Sequence, residues 1–268
     1  MSKSVIYQLV NLGSVLATIV LNGWVNSLPL NGVSTGEVSA AYPSLFTPPG
    51  WVFAIWGLIY SALLVFAVFQ LRPGQRSRAY LQRIGWLHAA AAVCNVGWLV
   101  VFHFSFDRPG LAPFTLIPMY LLFASLLAIY LRLRVGLEPV GRAEKLAVQV
   151  PFSLYLGWIT LATMVNTAFV LNAVIPEIPL SFQRAFTVLL LLAVLAVGLL
   201  ILRDRRDLVF ALVIVWAAGG IAVERSDYPE IAAAAALTAV LIVAAIGLLP
   251  LSRRERFSRF YLGGSESR

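Results

Sequence analysis

Three apolar stretches of this chain carry large aromatic side chains and amides at helical spacing. Wound as helices at about 100° per residue, Pro49, Phe53, Trp56 and Tyr60 fall within an arc of about 60°. His88, Asn95, Trp98 and Phe102 share about 80°, and so do Tyr155, Trp158, Ala162, Asn166 and Phe169. Broad ring faces interleaved with one or two hydrogen-bonding groups are how a site for a flat, mostly apolar ligand is composed. The same stripes also serve plain helix packing, and Trp near a helix end often belongs to the interfacial belt of a membrane protein. Trp24, Trp51 and Trp86 suit the belt. Trp56, Trp98 and Trp158 lie deeper, where packing and ligand contact both remain open.

Other chemistries find little support. His88 and His103 are the chain's 2 histidines and lie about 22 Å apart along one helix, too far to share a metal ion. Either alone could be an axial haem ligand, but a lone His is more often a hydrogen-bonded packing residue. Cys94 is the single cysteine, so neither a disulfide nor a thiolate cluster follows. No apolar stretch has Asp, Glu, Lys or Arg at its centre. That counts against a proton-coupled transporter and excludes a retinal Schiff base. There is no P-loop, GxSxG, HExxH or pair of carboxylates within the membrane, so an enzyme is not the favoured reading.

The elements that must position these residues are membrane helices. With 60% hydrophobic and 12% charged residues, the chain has too little polar surface for a soluble domain of this size. Eight apolar runs, Val5–Leu28, Trp51–Leu71, Ile84–Ser105, Leu111–Leu133, Val148–Ile175, Phe182–Leu202, Leu208–Val223 and Ile231–Leu251, are mostly near the roughly 20 residues a span requires; the seventh is short. The first lacks a small-residue cleavage pattern and reads as a retained helix. Of 20 Lys and Arg, about 17 fall in every second connection or at the ends, and only Arg108, Arg184 and Arg225 break the alternation. The pattern predicts an inner-membrane-type protein with both termini cytoplasmic and Asn31–Gly50 outside. The bilayer is thus the first partner, and the cations face lipid headgroups; no nucleic-acid-binding motif accompanies them. Asn31–Gly50, rich in Gly, Ser and Pro, is long enough for a cover or binding element.

The first span sets Asn11, Ser14, Thr18, Asn22 and Asn26 within about 120°, a stripe that must face protein or a cavity and not lipid. Interhelical hydrogen bonding is the plainer use, pocket lining the other. Every Asn lies at or before Asn172 and six of seven Trp at or before Trp158. That predicts a polar-lined five-helix core over 1–180, three plainer helices over 181–252, and a basic cytoplasmic tail over 253–268 with Arg253, Arg254, Arg256 and Arg259.

Three segments resemble the TspO/MBR family of tryptophan-rich sensory and translocator proteins. They are Pro43-Ser44-Leu45-Phe46-Thr47-Pro48-Pro49-Gly50-Trp51-Val52-Phe53 with Trp56 and Tyr60; Asn95-Val96-Gly97-Trp98 with Phe102; and Pro151-Phe152 with Trp158-Ile159-Thr160-Leu161-Ala162-Thr163 and Asn166. They fall in order on the second, third and fifth spans and cover about the first 175 residues. The step from the Pro-Pro-Gly turn to Trp56 is one residue shorter than the usual pattern, and Pro151 to Trp158 is about three longer. With three further helices, the chain is similar to a larger, divergent branch.

The resemblance implies an all-α membrane protein, a TspO-like five-helix bundle plus three helices. It would bind a planar apolar ligand, porphyrin- or haem-like or sterol-like, for sensing, sequestration or movement. Trp56, Tyr60, Trp98, Trp158 and Phe169 would make ring contacts, Asn95 and Asn166 polar ones, and Ala162 would leave room. Pro48, Pro49 and Gly50 would set the loop-to-helix turn. Partners are then an apolar small molecule and a second copy in a homodimer. Small-molecule transport, light-dependent porphyrin breakdown by the pocket tryptophans, and a structural membrane subunit stand as alternatives. On the expected depths, Trp158 lies about 26 Å from the outer end of its helix, out of level with the other rings unless that helix starts late or bends.

Overall fold

The computed structural model describes residues 2–28, 30–175 and 177–248; the expected tail 253–268 and the Asn26 side chain lie outside the described residues. Helices make up the described chain, with no strand among them: α1 Lys3–Ser27, α2 Thr35–Ala41, α3 Ile55–Gln70, α4 Ala79–Ile84, α5 Leu87–Phe104, α6 Leu116–Arg132, α7 Arg142–Glu144, α8 Val150–Val174, α9 Leu180–Arg205, α10 Leu208–Glu224 and α11 Pro229–Gly247. Among the described residues, 7 helices are long and apolar enough to cross a membrane, and Leu208–Glu224 is a shorter apolar helix. These are the eight expected spans, and α10, at 17 residues, is the short seventh.

The connections sort to two ends. At the basic end Arg78 pairs with Glu144, and Arg83 donates to Glu138 at 2.6 Å, joining the α3–α5 and α6–α8 connections. The Arg83 hydrogen bond holds the Glu138 carboxyl below its ordinary pKa. Solvent screening keeps the contribution of such surface pairs small. At the opposite end Asn31 donates to the His103 carbonyl at 3.3 Å and Tyr42 to that of Phe106 at 3.2 Å.

In the polar stripe of α1, Asn11 and Asn22 are buried and bonded across helices, while Ser14 bonds back to the Val10 carbonyl of its own helix. Asn11 Nδ2 donates to Gln70 Oε1 at 3.0 Å, Gln70 Nε2 to the Gln8 carbonyl at 2.9 Å, and Gln8 to the Gln70 carbonyl. Further along, Asn22 Nδ2 donates to Asn95 Oδ1 at 2.7 Å. Away from water each such group must find a protein partner, and α1 is thereby fixed to α3 near the basic end and to α5 near the other.

The fifth span begins at Arg142 and not at Val148, and runs to Val174. Lys145–Gln149 form a π turn just ahead of Pro151. Proline has no N–H and its ring crowds the carbonyl four residues back, so a widened turn relieves the clash within an unbroken helix. Helix α8 sits at the centre. Gly157 lets α10 come close: a Cβ there would stand 3.2 Å from Val213 Cβ and 3.4 Å from the Phe210 backbone. Buried Asp207 caps α10 by accepting from the Val209 and Phe210 N–H groups at 3.0 and 3.2 Å. Its other oxygen accepts from Tyr130 of α6 at 3.0 Å and from Ser153 of α8. One hydrophobic core runs from Val15 of α1 to Ile242 of α11.

Candidate ligand-binding cavity

Between α1, α3, α5, α8 and α10, under α2 and the 43–50 segment, lies a cavity of about 810 Å³. Trp56, Tyr60, Asn95, Trp98, Trp158, Ala162, Asn166 and Phe169 all line it, as do Pro48, Pro49 and Gly50. The three stripes thus converge on one space.

Its rings form two groups. In the deeper one, Trp56 stacks on Tyr60 at 5.4 Å between centroids and meets Trp158 edge to face at 6.2 Å. Phe53 packs edge-on against Trp158 at 5.5 Å. In the other group Trp98 stacks on Phe102 at 4.8 Å, Phe102 lies 4.9 Å from Phe169, and Tyr42 closes on Phe169 at 5.4 Å. Helices α3 and α5 each supply one group, and α8 contributes to both.

The amides hold the rings in place. Trp98 Nε1 donates to Asn166 Oδ1 at 3.0 Å, and Asn166 Nδ2 donates to Thr115 Oγ1 at 2.9 Å. Asn95 Oδ1 is taken by Asn22. Asn166 therefore fixes the orientation of the Trp98 ring. The two histidines do not line the cavity. His103 uses Nδ1 on the Leu99 carbonyl at 2.8 Å and Nε2 on Thr35 at 3.3 Å, while His88 packs edge-on against Phe66 and Phe152. Both occupy packing positions, and neither is placed as an axial ligand to a ring in this cavity.

The expected depth mismatch of Trp158 is resolved by the chain before α3. Asn172 near the end of α8 donates to the Pro43 carbonyl at 2.6 Å, and Phe53 already lies beside Trp158. The 43–53 segment descends alongside α8, so Trp51 is not at the outer edge and Trp56 starts deep.

Among the lining residues without a signal in the helical stripes are Ala217, Ile221 and Glu224 of α10 and Arg225 just after it. Of the three plainer helices expected over 181–252, α10 forms part of the cavity wall. Two signals pointed there. Arg225 breaks the charge alternation, and Trp216 is the one tryptophan of that region. Residues of α2, including Thr35 and Ser39, also line the cavity and carried no helical-face signal, since α2 has 7 residues.

Fold and cavity define a polytopic helical membrane protein with an aromatic pocket in its bundle. A profile of the family described as TSPO-like protein matches residues 8–248, and the chain belongs to that family. The match extends past residue 175 through the last three helices. No curated protein and no solved structure matches the chain.

Proposed function

We propose that this protein binds a planar, largely apolar small molecule, of porphyrin or sterol type, in the cavity, and acts as a membrane sensor or carrier for it. The observation that carries this is the convergence of five large rings, Trp56, Tyr60, Trp98, Trp158 and Phe169, around a space of about 810 Å³. That volume lies within the range of pockets that enclose drug-sized molecules, roughly 300–1,000 Å³. Burial of ring faces against aromatic walls supplies the attraction, and the Trp98–Asn166–Thr115 chain keeps one wall from collapsing into the space.

The cavity lies toward the end opposite the basic connections, beneath α2 and the 43–50 segment, and by the excess of Lys and Arg that end faces outward, with both termini cytoplasmic. Reporter fusions after Pro43 and after Arg256 report on opposite sides of the membrane under this reading; the same side for both overturns it. Native mass spectrometry of the full chain, released from detergent, tests the binding itself. A co-purifying or added protoporphyrin IX retained at one per chain supports it, and absence of any retained planar molecule after loading contradicts it.

A further inference from the structure

Arg225, the outer-end cation that charge patterning leaves unexplained, spends its guanidinium on backbone. Its Nε donates to the Leu45 carbonyl, and its Nη2 to the carbonyls of Ser44 and Thr47, each at 3.0 Å. These carbonyls belong to a tight turn, with Thr47 N–H on the Ser44 carbonyl at 3.1 Å and Phe46 N–H on Ser44 Oγ at 3.1 Å. Pro48 and Pro49 follow and offer no N–H. Irregular backbone beside a bilayer needs protein donors for its carbonyls, and the rigid fork of an arginine can serve several at once.

The same helix grips the rest of the segment. A Cβ on Gly220 would lie 2.3 Å from Val52 Cγ2 and 3.4 Å from Pro49 Cδ, so α10 touches the segment where only glycine fits. One turn below, Trp216 Nε1 donates to the Val52 carbonyl at 3.0 Å, and its ring meets Trp51 edge-on at 5.0 Å. From Ser44 to Val52 the chain is laid along α10. Ser44, Phe46, Thr47, Pro48, Pro49 and Gly50 of that segment are cavity wall.

We propose that Arg225 is a positioning residue for the cavity: it holds the Ser44–Thr47 turn closed over the mouth, so that α10 governs how long a ligand stays. This rests on the binding reading above. Loss of the three bonds frees the turn to swing from α10 and opens a path to water, which speeds ligand departure more than it slows arrival.

The test uses the full chain in phosphatidylcholine–phosphatidylglycerol nanodiscs, as wild type, Arg225→Gln, Arg225→Lys and, as a control, Arg184→Gln. Arg184 is the other outer-end arginine near the last helices and pairs with Glu230 at 3.3 Å in an exposed position. Hydrogen exchange across Ser44–Val52 should rise about tenfold or more in Arg225→Gln, with a smaller rise in Arg225→Lys, whose single ammonium cannot reach three carbonyls as a fork. Protoporphyrin IX, followed by its Soret band after transfer to excess apomyoglobin, should leave Arg225→Gln at least about fivefold faster, with arrival changed less. Arg184→Gln should match wild type in both. Unchanged exchange across the segment in Arg225→Gln overturns the proposal, and if that variant does not fold, unchanged exchange in Arg225→Lys does so. Raised exchange with an unchanged porphyrin departure rate overturns the claim on retention. If the segment loosens as expected but no protein, wild type included, binds the porphyrin, the positioning role stands and the binding reading fails.

Discussion

The indoles of Trp56 and Trp158 meet edge to face, with ring centroids 6.2 Å apart and planes at 82°. Each belongs to a different aromatic stripe, and their contact locks α3 to α8 at the deep end of the cavity. Aromatic pairs so arranged contribute about 0.5–1.5 kcal/mol beyond simple burial. Trp56→Phe and Trp158→Phe should each weaken protoporphyrin IX binding about fivefold. The double substitution should lose less than the product of the two, because both singles remove the same contact. Equilibrium titration in nanodiscs measures this; strictly multiplicative losses would mean that the rings act independently.

Asp207 joins three helices through one buried carboxylate. It caps α10 and accepts from Tyr130 and Ser153. Asp207→Ala removes a helix cap and leaves two buried hydroxyls without their acceptor, at a cost of about 2–3 kcal/mol. A lowered melting temperature in detergent checks it, and the Tyr130→Phe variant should lose less, since one bond goes and the cap remains. Equal melting of Asp207→Ala and wild type would contradict the assigned role.

The start of α2 is pH-sensitive in a defined direction. Ser34 N–H and Oγ both donate to the Glu37 carboxylate at 2.7 Å and lower its pKa from the ordinary 4.5. A lowered folded-state pKa means that the capping contribution is complete above 4.5 and is lost as pH falls below that value through the lowered one. Exchange of the α2 amides, corrected for intrinsic rates, should rise as pH falls below 4.5 in wild type. Glu37→Gln should show no such step; a step of equal size in that variant would place its origin elsewhere.

Much of this was legible in the sequence because helical periodicity and bilayer length are strong constraints. The apolar spans, and the shared helical faces of Trp56 with Tyr60, of Asn95 with Trp98 and of Trp158 with Asn166, follow from spacing. Three things did not. The depth of Trp158 is hidden because the 43–53 segment, a tight turn followed by the start of the short 3-10 helix Gly50–Ala54, is too short for a periodicity that would report its descent along α8. Asn166 and Asn95 line the cavity, but the bonds of Asn166 to Trp98 and Thr115, and of Asn95 Oδ1 to Asn22, are not visible in the sequence. Spacing shows which groups share a face but not which of them bond to each other. The place of α10 in the wall is not legible because a helix rich in Ala, Val, Ile and Gly has no distinctive face; it meets α8 at Gly157 and the 44–52 segment at its own Gly220, and lends Ala217, Ile221 and Glu224 to the wall. The isolated Arg225 and Trp216 were its visible marks.

The central claim is that the space around Ala162 is where a planar ligand sits. Ala162 lines the cavity between Trp158 and Asn166 on α8. Ala162→Phe places a ring in that space without disturbing the helix, whereas Leu189→Phe places one on the exposed face of α9. Protoporphyrin IX titrated into the full chain in nanodiscs, with empty nanodiscs subtracted, should saturate at one per chain for wild type and Leu189→Phe. Ala162→Phe should bind at least about tenfold more weakly. Equal affinity in wild type and Ala162→Phe, with both folded, would contradict the account.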